Sequence, residues 1–168
     1  KEDVNISYQF PHPELAQSFI AGKVQFGVLP EPFVTKVLQA KKEVSILFDM
    51  QEEWRKARNS DSSYPMSCVV IKKELVEKYP VVVGDFLDSY AESIAWVKDN
   101  PEEAGELAEK HGIGMDASTA KAAIPRLNLR FRHARQAKAE VEQFLSVLLD
   151  FDPKSVGAQL PDDGFYLE

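Results

Sequence analysis

Hydrophobic and polar positions along the chain predict both strands and helices. Residues 4–8 alternate between apolar and polar side chains, and the short apolar runs at 24–29, 44–48 and 66–71 are typical of buried strands. Between the first three of these segments, apolar residues recur three and four positions apart, as on one face of a helix. Strand and helix therefore alternate with short links, which predicts a parallel sheet with crossover helices.

Local start and stop signals locate the predicted helices. Gly22 is the expected end of the first helix, because glycine adopts the left-handed conformation there without steric cost. Asn100 and Pro101, followed by two glutamates, are a strong helix start, and Gly112 is expected to end that helix. Asp116 is expected to cap the next one. Apolar residues recur at helical spacing over long stretches of the second half of the chain, which predicts that this half is rich in helix.

The composition is that of a folded globular domain. Hydrophobic residues make up 44% and charged residues 28% of the 168-residue chain, and these ordinary values argue against disorder. A formal net charge of -7 is a poor match for nucleic acid or an anionic membrane, since both attract basic surfaces. The single cysteine, Cys68, excludes an internal disulfide and is expected to be a buried, unreactive thiol in a strand.

The loops after the predicted strands hold the first candidate ligand contacts. Ligands on parallel sheets bind at the carboxyl ends of the strands. The candidates in such loops are Tyr8, His12, Pro30, Glu31 and Pro32. Glu31 has a second interpretation, in which its carboxylate stabilises the helix that begins there by about 0.3–1 kcal/mol. The two interpretations are compatible, and the sequence leaves both open.

A second group of candidates follows the proline that ends a predicted helix. Arg126, Asn128 and Arg130 place two guanidinium groups around an amide, a combination that suits a carboxylate, sulfonate or phosphate. The alternative is that both arginines are solvated or form salt bridges. The histidines lack a metal-ligand spacing, and Gly-x-Ser-x-Gly and phosphate-binding glycine loops are absent. The sequence therefore predicts no metal, no cofactor and no catalytic residue.

Five segments carry recognisable motifs. A helix ending in Ala-Gly precedes a strand and a Glu-Pro-Phe turn at residues 21–33, and Tyr-Pro precedes an apolar strand at 64–71. A long helix leads to Asn-Pro-Glu-Glu-Ala at 86–104; the remaining motifs are Ile-Pro-Arg-Leu-Asn-Leu at 124–129 and Leu-Pro-Asp-Asp-Gly-Phe-Tyr at 160–166. In this order they resemble the C-terminal half of solute-binding proteins from bacterial ABC importers of the nitrate, sulfonate and thiamine-precursor type.

The resemblance implies a periplasmic-binding-protein-like fold of type II. This is an α/β fold of two lobes, each with a parallel or mixed sheet and flanking helices, around a cleft. Residues 1–50 would be the second half of one lobe, 51–64 a polar segment crossing between lobes, and 65–168 the helix-rich C-terminal part of the other. The elements that begin the family's first lobe are absent here, so the chain forms only part of the cleft or pairs with a second copy.

The function implied by the resemblance is capture of a small anionic or heteroaromatic solute and its delivery to the membrane permease of an ABC importer. That role places the protein outside the cytoplasm, in the periplasm or lipid-anchored at the cell surface. Two alternatives on the same fold stay open: an enzyme resembling thiamine-pyrimidine synthases or menaquinone-pathway enzymes, and a solute-sensing domain. Thiamine-pyrimidine synthases need a cysteine-rich motif, so the single cysteine argues against them. Fold alone does not separate these functions.

Overall fold

The computed structural model describes residues 5–167, and its regular structure is helical. The α-helices in this part of the chain are α1 (His12–Ile20), α2 (Phe33–Ala40), α3 (Met50–Arg58), α4 (Lys73–Lys78), α5 (Pro80–Asp99), α6 (Pro101–Lys110), α7 (Ala117–Ala123) and α8 (Ala134–Phe151). Short 3-10 helices follow at Ile124–Arg126, Pro153–Val156 and Asp163–Phe165. None of the helices between residues 5 and 167 combines the length and hydrophobicity that a membrane crossing requires.

The expected α/β fold with parallel or mixed sheets is wrong for the described chain. Residues 24–29, 44–48 and 66–71 form no strand, nor do residues 5–8, while residue 4 lies outside the described residues. A strand requires a neighbour that supplies backbone hydrogen-bond partners. Within residues 5–167, no backbone hydrogen bond joins any two of these segments. Cys68 is therefore exposed and not buried, because no neighbouring strand covers its segment.

The predicted helix ends are confirmed where the signal is local. Gly22 has a φ of 71° and its amide donates to the carbonyl of Phe19 at 2.9 Å, which closes α1. Helix α6 begins at Pro101, with acidic residues in its first turn, and Gly112 follows its end with a φ of 65°. Asp116 caps α7 through its side chain. Each of these signals acts over a few residues, so no tertiary contact is needed to predict it.

The polar segment at 49–64 contains a helix that its composition did not predict. Asp49 caps α3, since its carboxylate accepts hydrogen bonds from the amides of Gln51 at 2.8 Å and Glu52 at 3.2 Å. Acidic residues occupy the first turn of α3 and basic residues the last turn, which complements the helix dipole. The capping and charge pattern favours a helix even though Gln51 is the buried residue in it. Whether this segment crosses between lobes stays a prediction.

Contacts within the chain divide it into two compact units, each built from two separate stretches. Unit 1 comprises Lys1–Ser45 and Ser89–Arg130, and unit 2 comprises Ile46–Asp88 and Phe131–Glu168.

The core of unit 1 lies at α1 and α2. Ala16, Phe19 and Val37 are buried there. Partly buried hydrophobic residues pack against them: Leu15, Ile20, Val24, Leu29, Phe33 and Val44. A Cβ atom at Gly27 would lie 2.7 Å from the ring of Phe19. The backbone at Gly27 therefore approaches α1 more closely than any other residue type permits.

Helices α6 and α7 of unit 1 pack through small residues. Ala104 and Ala108 of α6 and Ala120 and Ala123 of α7 are buried. A Cβ atom at Gly105 would lie 2.5 Å from the carbonyl oxygen of residue 117, so the two backbones are nearly in contact. The absence of a side chain at this position is what allows the close approach.

Unit 2 has an aromatic cluster beside α3 and α8. The ring of Tyr64 stacks on Phe144 with centroids 5.2 Å apart, and Trp54 meets both rings edge-on at 5.4 and 5.8 Å. Gln51 fixes the loop to α3, because its side-chain amide exchanges two hydrogen bonds with the backbone of Tyr64. Trp54 is thus a packing residue.

Candidate functional site

Glu31 lies at the start of α2 in unit 1. Its carboxylate oxygen Oε2 accepts hydrogen bonds from the backbone amide of Thr35 at 3.1 Å and from the Thr35 hydroxyl at 2.7 Å. Pro32 is the N-cap residue and gives no side-chain bond, so Glu31 satisfies an amide that would otherwise lack a partner. A carboxylate at this end of a helix also interacts favourably with the helix dipole. The interpretation of Glu31 as a helix-stabilising residue is confirmed.

Arg126 completes a partly buried cluster with Glu31 and Thr35, and we call these three residues the clamp. The Nε atom of Arg126 donates to Oε1 of Glu31 at 2.6 Å, and Nη2 donates to the Thr35 hydroxyl at 2.5 Å. The Glu31 side chain is 8% exposed and that of Arg126 is 40% exposed. The salt-bridge interpretation of Arg126 is confirmed, and a ligand contact by either charged residue stays a prediction.

A capped helix positions the arginine of the clamp. Asp116 accepts hydrogen bonds from the amide of Thr119 at 2.8 Å and from its hydroxyl at 2.7 Å, and these bonds hold the pKa of the Asp116 carboxyl below its usual range. The Thr119 hydroxyl also lies 3.1 Å from the side-chain oxygen of Gln39 in α2. Helix α7 is therefore fixed on α2, and the 3-10 helix that carries Arg126 follows it directly.

A surface pocket of about 420 Å³ adjoins the clamp in unit 1. Its lining residues are Lys98, Ile124, Pro125, Asn128, Leu129 and Arg130. Asn128 has a left-handed backbone with a φ of 51°, and its side-chain amide donates to the carbonyl of Arg126 at 3.3 Å. Within the described part of the chain, Lys98 and Arg130 are paired with no acidic residue. The pocket thus combines an apolar wall with two unpaired cations, an arrangement able to hold a small anion.

The remaining predicted contacts lie in less constrained positions. His12 is the first residue of α1, and its ring centroid lies 6.2 Å from that of Phe33, next to the start of α2. The carbonyl of Pro30 accepts the amide of Phe33 at 3.0 Å. Tyr8 is 86% exposed and contacts no other ring in the described residues. Since no strands form within residues 5–167, the argument that placed these residues at strand ends no longer applies, and their contact with a ligand stays a prediction.

Sequence reasoning missed two residues of this region. Thr35 lies four positions after Glu31, which places it one helical turn along α2, so the spacing could have identified it. Lys98 lies near the end of α5 and has no local signal that connects it with Asn128 or Arg130. Its position in the pocket depends on packing between segments that are distant in sequence.

Unit 2 has a second surface pocket, which has a different character. It measures about 580 Å³ and is lined by Glu52, Arg55, Lys56, Asn59, Ser60 and Asp61. Every one of these residues is charged or polar, whereas ligand sites are mostly lined by apolar residues with a few placed polar groups. Among residues 5–167, no group of histidine, cysteine and acidic side chains is arranged to hold a metal ion. The pocket of unit 1 is therefore the stronger candidate for a small solute.

Comparison with known proteins identifies a similar structure. A crystal structure described as an ABC transporter from Parabacteroides distasonis matches this chain with a TM-score of 0.86 and 29% sequence identity over 99% of the chain. The chain spans 58% of the length of that protein. No protein-family profile and no curated protein matches the chain. The expected similarity to ABC transporter proteins is thus confirmed, whereas the nitrate, sulfonate or thiamine-precursor type stays a prediction.

Proposed function

We propose that the chain is part of the solute-binding component of an ABC importer, a binding module and not an enzyme. The observation that carries the proposal is the similarity to an ABC transporter along 99% of the chain, at a TM-score of 0.86. A component of this kind captures its solute outside the cytoplasm, in the periplasm or anchored at the cell surface, and passes it to the membrane permease.

The pocket beside the clamp supports an anionic or heteroaromatic solute. Lys98 and Arg130 offer unpaired positive charge, and because both are exposed, a contact between either one and an anion is worth at most about 1 kcal/mol. Pro125 and Leu129 offer apolar surface against which the face of a ring can pack, while Ile124 is buried. A small molecule with an anionic group and a flat apolar body satisfies both features.

The clamp supports the same proposal by fixing the wall of the pocket. Arg126 lies between Pro125 and Asn128, which line the pocket, and its guanidinium is held by Glu31 and Thr35. A wall that is rigid before the solute arrives loses little conformational entropy on binding. The clamp therefore acts through pre-organisation, and it need not contact the solute.

The test is calorimetric titration of the chain with nitrate, an alkyl sulfonate and a substituted pyrimidine. We expect one class to bind, and we expect Lys98→Gln and Arg130→Gln each to weaken that binding by about two- to fivefold, the equivalent of about 0.4–1 kcal/mol. Lys42→Gln is the matched control, because Lys42 is an exposed lysine of unit 1 that does not line the pocket. Conversion of any of these solutes into a product would contradict the proposal and favour an enzyme.

A further inference from the structure

Asn128 differs in chemistry from the other residues that line the unit 1 pocket. Apart from Asn128, the lining consists of two cations, Lys98 and Arg130, and of apolar residues. Ammonium and guanidinium groups only donate hydrogen bonds, whereas a side-chain amide both donates and accepts them. Among the described residues that line the pocket, Asn128 therefore carries the only side chain able to accept a hydrogen bond.

Two features hold the amide of Asn128 in place. Its backbone is left-handed, with a φ of 51°, a conformation that asparagine tolerates better than most residues with a side chain. Its Nδ2 atom donates to the carbonyl of Arg126 at 3.3 Å, and the guanidinium of Arg126 is bonded in turn to Glu31 and Thr35 of the clamp. Within residues 5–167, the Oδ1 atom of Asn128 accepts no hydrogen bond. The nitrogen is thus engaged with the protein, and the oxygen is available to water or to a solute.

We propose that Asn128 selects solutes that carry an uncharged hydrogen-bond donor in addition to an anionic group, which rests on the proposed binding of an anionic solute in this pocket. An anionic group alone satisfies Lys98 and Arg130, but it displaces water from Oδ1 of Asn128 and returns no hydrogen bond. A hydroxyl or N–H group on the solute supplies the missing donor. Because Asn128 is exposed, we expect such a donor to strengthen binding by only about two- to fivefold.

The experiment measures the dissociation constants of matched ring sulfonates by calorimetric titration of the chain at neutral pH. The meta and para isomers of hydroxybenzenesulfonate carry the donor, and the corresponding toluenesulfonates have a methyl group of similar size in its place. We expect at least one hydroxyl isomer to bind about two- to fivefold more tightly than its methyl counterpart. Asn128→Gly removes the amide and fits the left-handed backbone, so it should abolish this preference.

Asn128→Asp separates the acceptor role of Oδ1 from the bond to Arg126. Both variants lose the bond to the Arg126 carbonyl, but aspartate keeps acceptor oxygens and also tolerates a left-handed backbone. Its added negative charge should weaken the binding of every sulfonate, while the preference for the hydroxyl should persist. Loss of the preference in Asn128→Asp as well would overturn the proposal, because the preference would then depend on the bond to Arg126.

Asn59 of unit 2 provides a matched control. It is also an exposed asparagine with a left-handed backbone, at a φ of 47°, but it lines the other pocket. Asn59→Gly should therefore leave the preference intact, and its loss there would overturn the proposal in favour of binding in unit 2. Equal affinities within every pair would overturn selection by Asn128 and leave the proposed function in place. Absence of saturable binding by any of these sulfonates would overturn the proposal and also count against an anionic ring solute.

Discussion

Removal of the charge on Glu31 is the most informative perturbation of the clamp. Glu31→Gln keeps the shape of the side chain but replaces an anion that accepts hydrogen bonds from Arg126 Nε and from two groups of Thr35. The side chain is 8% exposed, so water restores little of what is lost. One or two of the bonds persist to the amide oxygen. We therefore expect a loss of about 2–3 kcal/mol in the stability of α2.

The assay is native-state hydrogen exchange at the amides of α2, which reports the free energy of opening that helix. A local readout is needed because a chain of two compact units need not unfold in one step. Arg126→Gln and the double variant complete a cycle, for which we expect a coupling of about 1–1.5 kcal/mol between Glu31 and Arg126.

The control is an exposed ion pair in the same unit. Lys121 and Glu102 lie 2.8 Å apart, but their side chains are 50% and 67% exposed. Glu102→Gln should therefore cost at most about 0.5 kcal/mol. Equal small losses in Glu31→Gln and Glu102→Gln, or additive effects in the cycle, would refute the reasoning. In that case Arg126 would be free to contact a ligand, and its replacement would weaken binding without lowering stability.

Two further predictions concern glycine packing and pH. In thermal unfolding, Gly27→Ala should destabilise unit 1 by about 1–3 kcal/mol, because the added Cβ would lie 2.7 Å from the Phe19 ring. Gly84→Ala should instead stabilise α5 by about 0.5–1 kcal/mol, because the space around the added Cβ is open. Hydrogen bonds from Thr119 lower the pKa of Asp116 below 3.8 in the folded chain, so their stabilising effect is present above pH 3.8 and is lost as the pH falls through the folded pKa. Asp116→Asn keeps a side chain that can cap the helix but does not titrate, so it should lose less stability than the parent chain as the pH falls, in acid titrations followed by circular dichroism. The same loss of stability in acid for both chains would contradict the assignment to Asp116.

Helix ends were predictable from the sequence because their causes are local. A glycine such as Gly22 relieves backbone strain by itself, and a capping residue such as Asp116 bonds to amides a few positions away. Helix α3 carries signals of the same kind, but its polar composition led only to the prediction of a polar crossing segment at 51–64, without a helix. Hydrophobic periodicity does not reveal this helix because it buries little, whereas its capping residue and its charge pattern do indicate it.

Which distant segments contact one another was decided by the tertiary structure alone. The apolar run at 24–29 led to the prediction of a strand, but a strand also requires a neighbour, and within the described residues none is present. Glu31 and Arg126 lie 95 positions apart, so the sequence could suggest a salt bridge for the arginine but not name its partner. Local chemistry is encoded within a few residues, whereas which surfaces meet depends on how the whole chain packs. The sequence by itself therefore determined the helix ends and the charged residues available to the site. The tertiary structure decided that Glu31, Thr35 and Arg126 meet and that the expected sheets do not form within residues 5–167.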